Sequence, residues 1–446
     1  MPHRISRFGG WLIVLALAVA SAAAEGQRTV AEHWIATWGT AQTHYLAPAP
    51  NPPAAPAPSP AAGGAPAQPS QPPTAPAASG PARRCGIPPR IPGLNNQTVR
   101  MIVRASRGGQ RVRIRLANAL GARSVRVAAA HIAIREAGSA IVAGSDRMLT
   151  FSGQPTTMVY AGQTVLSDPV ALNVAPVSDL AVSLHLPGDT GPPTNHLFGL
   201  RPTYVSKEGD FTGARDIADV ATTTQSYYWL AGIDVSGASG DGVLVTFGDS
   251  ITDGDQSTPD ANGAWPTVLA GRLQANRSTH GIGVVNAGIS GNRVFGDNNS
   301  ALARLDHDVF SVPGVRWMTV LEGINDITGA TRGNGPPALT AQDLIGAYRQ
   351  IIQRAHQRNI KAIGCTITPY GGSNVFTEAG EAIRRAVNEW IRTGGEFDAV
   401  VDFDRATRDS TDPARFRAEA DSPDLLHPGD AGYRLMAEVF DLRILR

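Results

Sequence analysis

The hydrophobic period of this chain changes near Gly242, and that change limits the folds open to it more than any other feature. Before it, apolar and polar residues alternate. Along 111–116, Val112, Ile114 and Leu116 are interleaved with Arg111, Arg113 and Arg115, and along 181–186, Val182, Leu184 and Leu186 share one face. A period of two marks a strand buried on one side. Short runs of this kind recur from about Val99 to Val205, separated by Gly, Pro, Asn and Asp, which predicts a β-rich, sandwich-like region. The arginine stripe reads as the solvated face of a half-buried sheet; the alternative is a surface for an acidic ligand.

After Gly242 the apolar runs become continuous, at 243–247, 284–285, 317–321, 362–367 and 399–403, as in strands buried on both faces. Helical patterns lie between them. Thr340 with Asp343 forms a capping-box-like start, after which Leu344, Tyr348, Ile351, Ile352 and Ala355 recur at helical spacing. Ile383, Val387, Trp390 and Ile391 mark a second helix, and Leu435, Met436, Val439 and Phe440 the last. Five strands alternating with helices predict a parallel, doubly wound α/β sheet. Such sheets bind ligands at the carboxyl ends of their strands.

Composition sets the wider frame. A chain of 446 residues is long enough for two or three domains. Its 39 Lys and Arg against 38 Asp and Glu argue against a nucleic-acid partner or an electrostatically held membrane surface. The excess of proline is local: 13 of the 33 prolines fall in 46–84, interleaved with Ala, a tract expected to form no core. Residues 1–24 carry Arg4 and Arg7, a short apolar run from Trp11 to Val19, and Ala22-Ala23-Ala24. They read as a cleavable secretory signal peptide, with an uncleaved anchor as the alternative. The expected organisation is a signal peptide over 1–24, a β-rich domain over 25–240 containing the tract, and an α/β domain over 241–446, in a secreted or periplasmic protein. Cys85 and Cys365 are too few for a disulfide framework or a Cys-rich zinc module. Cys365, in an apolar strand pattern, is expected to be an inert core thiol.

Four short motifs fall at the predicted strand ends. The first strand runs into Gly248-Asp249-Ser250, placing a serine where a nucleophile belongs. The second ends in Asn286-Ala287-Gly288-Ile289-Ser290-Gly291-Asn292, whose glycines let backbone approach a substrate. The third ends in Glu322-Gly323-Ile324-Asn325-Asp326, offering a side-chain amide to a developing negative charge. Last comes Asp424-Leu425-Leu426-His427 before Pro428. The proline holds His427 out of a helix, and Asp424 can curl round to one ring nitrogen, leaving the other free as a base.

In these four blocks the sequence resembles the SGNH hydrolases, the GDSL esterases, over about 200 residues from Gly242 onward. The resemblance implies a flavodoxin-like, five-stranded parallel fold. It implies Ser250 as nucleophile, His427 as base and Asp424 as its orienting partner. The oxyanion hole would be formed by the Ser250 and Gly291 N–H groups and the Asn325 amide, with Gly288 as the weaker backbone candidate. The continuation Ile251-Thr252-Asp253-Gly254, the pair Trp265-Pro266 and the early His33-Trp34-Ile35-Ala36-Thr37-Trp38 are similar to the secreted acetylxylan-esterase-like or arylesterase-like branch. The reading is therefore a short-acyl serine esterase, its substrate left open between acetylated plant polysaccharide and small or lipid esters; a non-catalytic carbohydrate-binding protein is the rival from another class. No metal or cofactor is expected. Asp253, Asn292 and Arg293 are candidate substrate contacts, Asn286 is expected to brace the second loop, and Glu322 has no assigned role.

Overall fold

In the computed structural model, the described residues are 32–43, 91–237, 242–297, 299–332 and 339–446. The expected signal peptide, the whole Ala/Pro tract and Cys85 lie outside them.

The alternating segments build two antiparallel sheets. One contains Trp34–Gly39, Leu230–Ser236, Gly109–Ala117 and Val170–Val174 in that spatial order, with Thr164–Leu166 also on Gly109–Ala117. The other runs Val220–Thr224, Thr203–Glu208, Gln97–Arg104, Asp179–Leu186, Ala129–Ala137, Ala140–Ile141, with Arg147–Met148 also paired to Ala129–Ala137. Val112, Ile114 and Leu116 from the first sheet and Val99, Met101, Val182 and Leu184 from the second share one core. This is the β-sandwich that the period of two predicts.

Parts of the far faces of both sheets are covered by protein rather than solvated. On the second, Ile102, Ala133, Ile141 and Ala181 form a small further core. There the fully buried Arg100 donates to Ser183 Oγ at 2.8 Å and to the carbonyls of Ser139 at 2.7 Å and Ala214 at 2.7 Å, pinning the loop that closes over the sheet. On the first, the arginine stripe departs from expectation. Arg111 is exposed and pairs with Glu32, but Arg113 and Arg115 are mostly covered and converge on the fully buried Asp234, at 3.1 and 3.4 Å. Arg113 also lies over the Trp34 ring. Gly232 leaves room for Arg115, since a Cβ there would lie 2.3 Å from its guanidinium. Alternation reports which face is polar, not whether water or protein covers it.

From Gly242 the chain forms one parallel sheet in the order Ile282–Gly288, Gly242–Gly248, Val315–Leu321, Lys361–Cys365, Ala399–Val401. Numbered along the chain this is 2-1-3-4-5, the flavodoxin-like order, with its switch point beside the first strand. Helix Ala341–His356 starts at the expected capping box, with Thr340 Oγ1 accepting from Asp343 N and the Asp343 carboxylate accepting from Thr340 N. Glu378–Thr393 and Asp430–Val439 are the other two expected helices. Trp265–Ala275 is a helix that the sequence reading did not single out. The fifth strand is shorter than its apolar run, because Asp402 caps a helix over Phe403–Thr407 by accepting from Arg405 N. Cys365 is buried in the fourth strand, and burial pushes its thiol well above the ordinary range. Among the described residues, no helix is long and apolar enough to cross a membrane.

The first strand, Trp34–Gly39, lies between the two cores. It pairs antiparallel with Leu230–Ser236 at the sandwich edge, while Ile35 and Ala36 pack into the core of the parallel sheet. Gly283 permits this, since a Cβ there would sit 2.3 Å from the Ala36 carbonyl.

Candidate active site

The central strand Gly242–Gly248 passes directly into a one-turn helix, Ser250–Asp253, capped by Asp249 Oδ1, which accepts from Ile251 N at 2.9 Å. The strand must end in glycine: a Cβ on Gly248 would lie 2.2 Å from Thr252 Oγ1 and 2.6 Å from the Leu321 carbonyl. The abrupt turn delivers Ser250 to the carboxyl end of the sheet.

There it meets the 424–427 loop. His427 Nε2 lies 2.8 Å from Ser250 Oγ, and His427 Nδ1 lies 2.7 Å from Asp424 Oδ2. Asp424 Oδ1 accepts the N–H groups of Leu426 and His427, each at 3.0 Å, and the Ser422 hydroxyl at 2.9 Å. The loop folds back through Leu425, at φ +57°. A carboxylate only accepts, so Nδ1 donates to Asp424 and Nε2 is the nitrogen left to accept from the serine hydroxyl.

The surrounding charges bias this pair. Burial alone would raise the Asp424 carboxyl, but hydrogen bonds from the His427 ring and two backbone N–H groups, together with the ring's charge, hold it well below its usual range. Burial would lower His427, yet Asp424, Asp255 and Asp249 together raise it above the ordinary 6.5. Asp255 was not foreseen: its Oδ2 stands 4.0 Å from His427 Nε2. It is itself raised, chiefly by burial. Burial likewise pushes Asp249 up to about 7.

The second strand, Ile282–Gly288, ends in a tight turn closed by Asn292 N donating to the Ile289 carbonyl at 3.0 Å, with Gly291 at φ +77° in open space. Gly291 is exposed at the turn's tip. Gly288 is less suited to hold a ligand, because its N–H already donates to Asn286 Oδ1 at 2.9 Å. Asn286 also donates to the Thr252 carbonyl at 2.9 Å, tying the second strand to the serine helix.

The third strand, Val315–Leu321, leads through Gly323, at φ +111°, into helix Ile324–Thr331, whose first turn carries Asn325. Asn325 Nδ2 donates to the Asn292 carbonyl at 2.9 Å, so the amide is held beside the second turn. Asp326 fastens the same two loops by accepting from Val294 N at 2.8 Å and Phe295 N at 3.1 Å. Burial lifts its carboxyl to about 6 against those bonds.

Glu322 gains an explanation here. It is fully buried, and its Oε1 accepts from Arg304 at 3.0 Å. Arg304 also donates to the carbonyls of Gly248 at 2.9 Å and Ala287 at 2.7 Å, to Asn292 Oδ1 at 2.9 Å and to Asp308 at 3.1 Å. One guanidinium thus ties together the ends of the first three strands, with Glu322 and Asp308 as its acidic partners. Nothing in the periodicity marks Arg304, whose partners are scattered over the chain.

Of the candidate substrate contacts, two are otherwise engaged. Asp253 Oδ1 is 2.9 Å from His196 Nε2 and Oδ2 accepts from Ser290 N at 2.9 Å. Asn292 gives its Oδ1 to Arg304 and its Nδ2 to the Asn299 carbonyl, at 2.7 Å. Both are buried braces rather than free contacts, because in each case both side-chain polar atoms have protein partners. Arg293 is half-buried against Gly329, and its charge lowers Asp326.

A parallel sheet in this order, with a serine after its first strand and a histidine ahead of its last helix, is the arrangement that the resemblance to the SGNH hydrolases implies. Residues 246–435 match the GDSL-like lipase/acylhydrolase family. An acetylxylan esterase of Geobacillus stearothermophilus is 36% identical over 91 residues, a match spanning 19% of this chain and 39% of that protein. Similar solved structures include a lipolytic protein of the G-D-S-L family from Desulfitobacterium hafniense, 21% identical, covering 44% of this chain and 96% of that one at a TM-score of 0.34. Another is a GDSL-like lipase from Bacteroides thetaiotaomicron, 19% identical, covering 47% of this chain and 90% of that one at 0.35.

Proposed function

We propose that this chain is a secreted serine esterase that hydrolyses short-acyl esters, acetyl esters first among them, with an acetylated plant polysaccharide as the natural alcohol half. The observation that carries the reading is the contact series Asp424–His427–Ser250, at 2.7 and 2.8 Å, at the carboxyl end of the central strand. Its catalytic unit would be 241–446, its β-rich unit 25–240 and its leader 1–24. The acetylxylan esterase similarity supports the acyl choice.

In this reading Ser250 Oγ attacks the ester carbonyl as His427 Nε2 takes its proton. The tetrahedral oxyanion is held by the N–H groups of Ser250 and Gly291 and by Asn325 Nδ2. His427 then returns the proton to the departing alcohol, leaving the acyl group on Ser250. Water, deprotonated by the same nitrogen, releases the acid. Asp424 orients the ring and balances the imidazolium that forms in each step. Arg293 is the remaining candidate for touching the alcohol half.

The test is acetate release from acetylated xylan, alongside turnover of p-nitrophenyl esters of rising acyl length, by the protein and by Ser250→Ala. Acetate release and a preference for short chains, both lost in the variant, support the reading. Near-full activity in Ser250→Ala, or a clear preference for long chains, overturns it.

A further inference from the structure

One of the contacts between the β-sandwich and the catalytic unit is a buried histidine. His196 lies in the short strand Asn195–His196, which pairs with Tyr227–Tyr228 and carries a bridge to Thr43. Its ring lies nearly parallel to that of Tyr227, 6.2 Å away. Nδ1 is 2.8 Å from the Ala41 carbonyl oxygen and Nε2 is 2.9 Å from Asp253 Oδ1. A carbonyl and a carboxylate both accept, so both ring nitrogens donate and the ring carries the proton of an imidazolium. Burial opposes that charge, but the Asp253 carboxylate and the Ala41 carbonyl outweigh it and raise His196 above its ordinary value. Both side chains are at least nine-tenths buried, and a buried charge pair of this kind is geometrically exacting.

Asp253 passes the constraint on. Its second oxygen accepts from Ser290 N at 2.9 Å. Ser290 immediately precedes Gly291, whose N–H is the backbone donor assigned to the oxyanion. The direction of that N–H is set by the peptide plane between the two residues, so anchoring Ser290 N restricts where the Gly291 donor points. Gly288 lets the parts close up, as a Cβ there would lie 2.2 Å from Asp253 N.

We propose that His196 is a positioning residue for ester hydrolysis: through Asp253 and Ser290 it aims the Gly291 N–H at the oxyanion, making the β-sandwich a working part of the active site. This rests on the esterase reading above. The ring nitrogens of His196 are spent on Ala41 and Asp253 rather than on Ser250, and in this proposal its influence falls on the transition state, where the oxyanion exists, rather than on substrate binding.

The experiment compares the full chain with His196→Ala, His196→Gln, Asp253→Ala and the double variant His196→Ala/Asp253→Ala. Ser250 is first titrated with diethyl p-nitrophenyl phosphate, so that rates are counted per reactive serine and unfolded molecules drop out. kcat and KM are then measured on p-nitrophenyl acetate. The expected result for His196→Ala is a kcat lower by on the order of 10–100-fold, with KM within about twofold. His196→Gln, whose amide can still donate to Asp253, should recover most of that loss. Asp253→Ala should lose at least as much as His196→Ala, and the double variant no more than Asp253→Ala, because the residues act in series. Equal kcat per titrated serine in His196→Ala and the parent, a loss confined to KM, or a glutamine variant no better than alanine would overturn the proposal. A parent that neither reacts with the phosphate ester nor turns over substrate would instead defeat the esterase reading itself.

Discussion

The parallel sheet and the β-sandwich both bury continuous cores, yet they place polar chemistry in different parts of their strands. Parallel strands buried on both faces spend their side chains on packing, so reactive groups gather where the backbone turns at a strand end. Ser250, Gly291 and Asn325 follow the first, second and third strands in this way. The sandwich strands carry one core face and one polar face, so their buried polar groups sit mid-strand. Arg100, Arg113, Arg115 and Asp234 are all of this kind, and each is consumed in bracing a loop or a neighbouring strand. A strand end can leave a group aimed at open space; a mid-strand position covered by protein cannot.

That contrast can be broken by substitutions made in each region. The largest effect belongs to Ser250→Ala, which should lower kcat/KM on p-nitrophenyl acetate by on the order of 10⁴–10⁶. Its thermal unfolding midpoint should match the parent; a comparable loss of stability would mean that the strand end serves packing after all. Asn325→Ala follows. Loss of one oxyanion donor costs ~10²–10³ in kcat, or ~2.7–4 kcal/mol, and KM should change little; an effect mainly on KM would remove Asn325 from that role. In the sandwich the sign of the experiment reverses. Leu184→Ala, at a fully buried core position, should cost ~2–5 kcal/mol in denaturant unfolding while leaving kcat per titrated serine unchanged.

The smallest expected effect is a shift of pH dependence. In the proposed mechanism His427 must be neutral to accept the serine proton, and its pKa is raised above 6.5. Protonation therefore persists to higher pH, and kcat/KM should fall as pH drops through a value above 6.5. Asp255→Asn removes a negative charge 4.0 Å from Nε2, so the ring loses its proton more readily and this acid limb should move to lower pH. An unmoved or upward-shifted limb, measured on p-nitrophenyl acetate, would show that Asp255 does not act on the ring.

The parts legible in the sequence are those whose partners are near in the chain or fixed by period. The parallel sheet could be read from continuous apolar runs, and Asp424 lies three residues from His427. The capping box at Thr340 and Asp343 is equally local. What escaped has distant partners. His196 meets Asp253 across 57 residues and Arg304 meets Gly248 across 56, with no pattern at either position. Asp253 and Asn292 were visible as residues of interest, but their side chains turn inward because Ser290, His196 and Arg304 offer stronger partners than solvent. The arginine stripe was misread for a related reason. Period two identifies the polar face of Gly109–Ala117 but does not record that Leu230–Ser236 brings Asp234 beneath it.

The edge strand Trp34–Gly39 has a consequence for how the chain is assembled. Its sheet partner begins about two hundred residues later, and the Pro313 carbonyl that receives Ala36 N lies later still, a separation that weighs on folding speed as any high contact order does. During synthesis the earliest strand has no place to dock until Leu230–Ser236 and Ile282–Gly288 have been made. Until it docks, Leu230–Ser236 presents an unpaired edge and the parallel sheet an uncovered apolar face, surfaces open to intermolecular pairing. The first of the described strands therefore waits on segments made much later before it can be seated. A chain begun downstream of it would retain Ser250, His427 and Asp424 while leaving a gap between the two cores, and its refolding yield would measure how much that single strand protects.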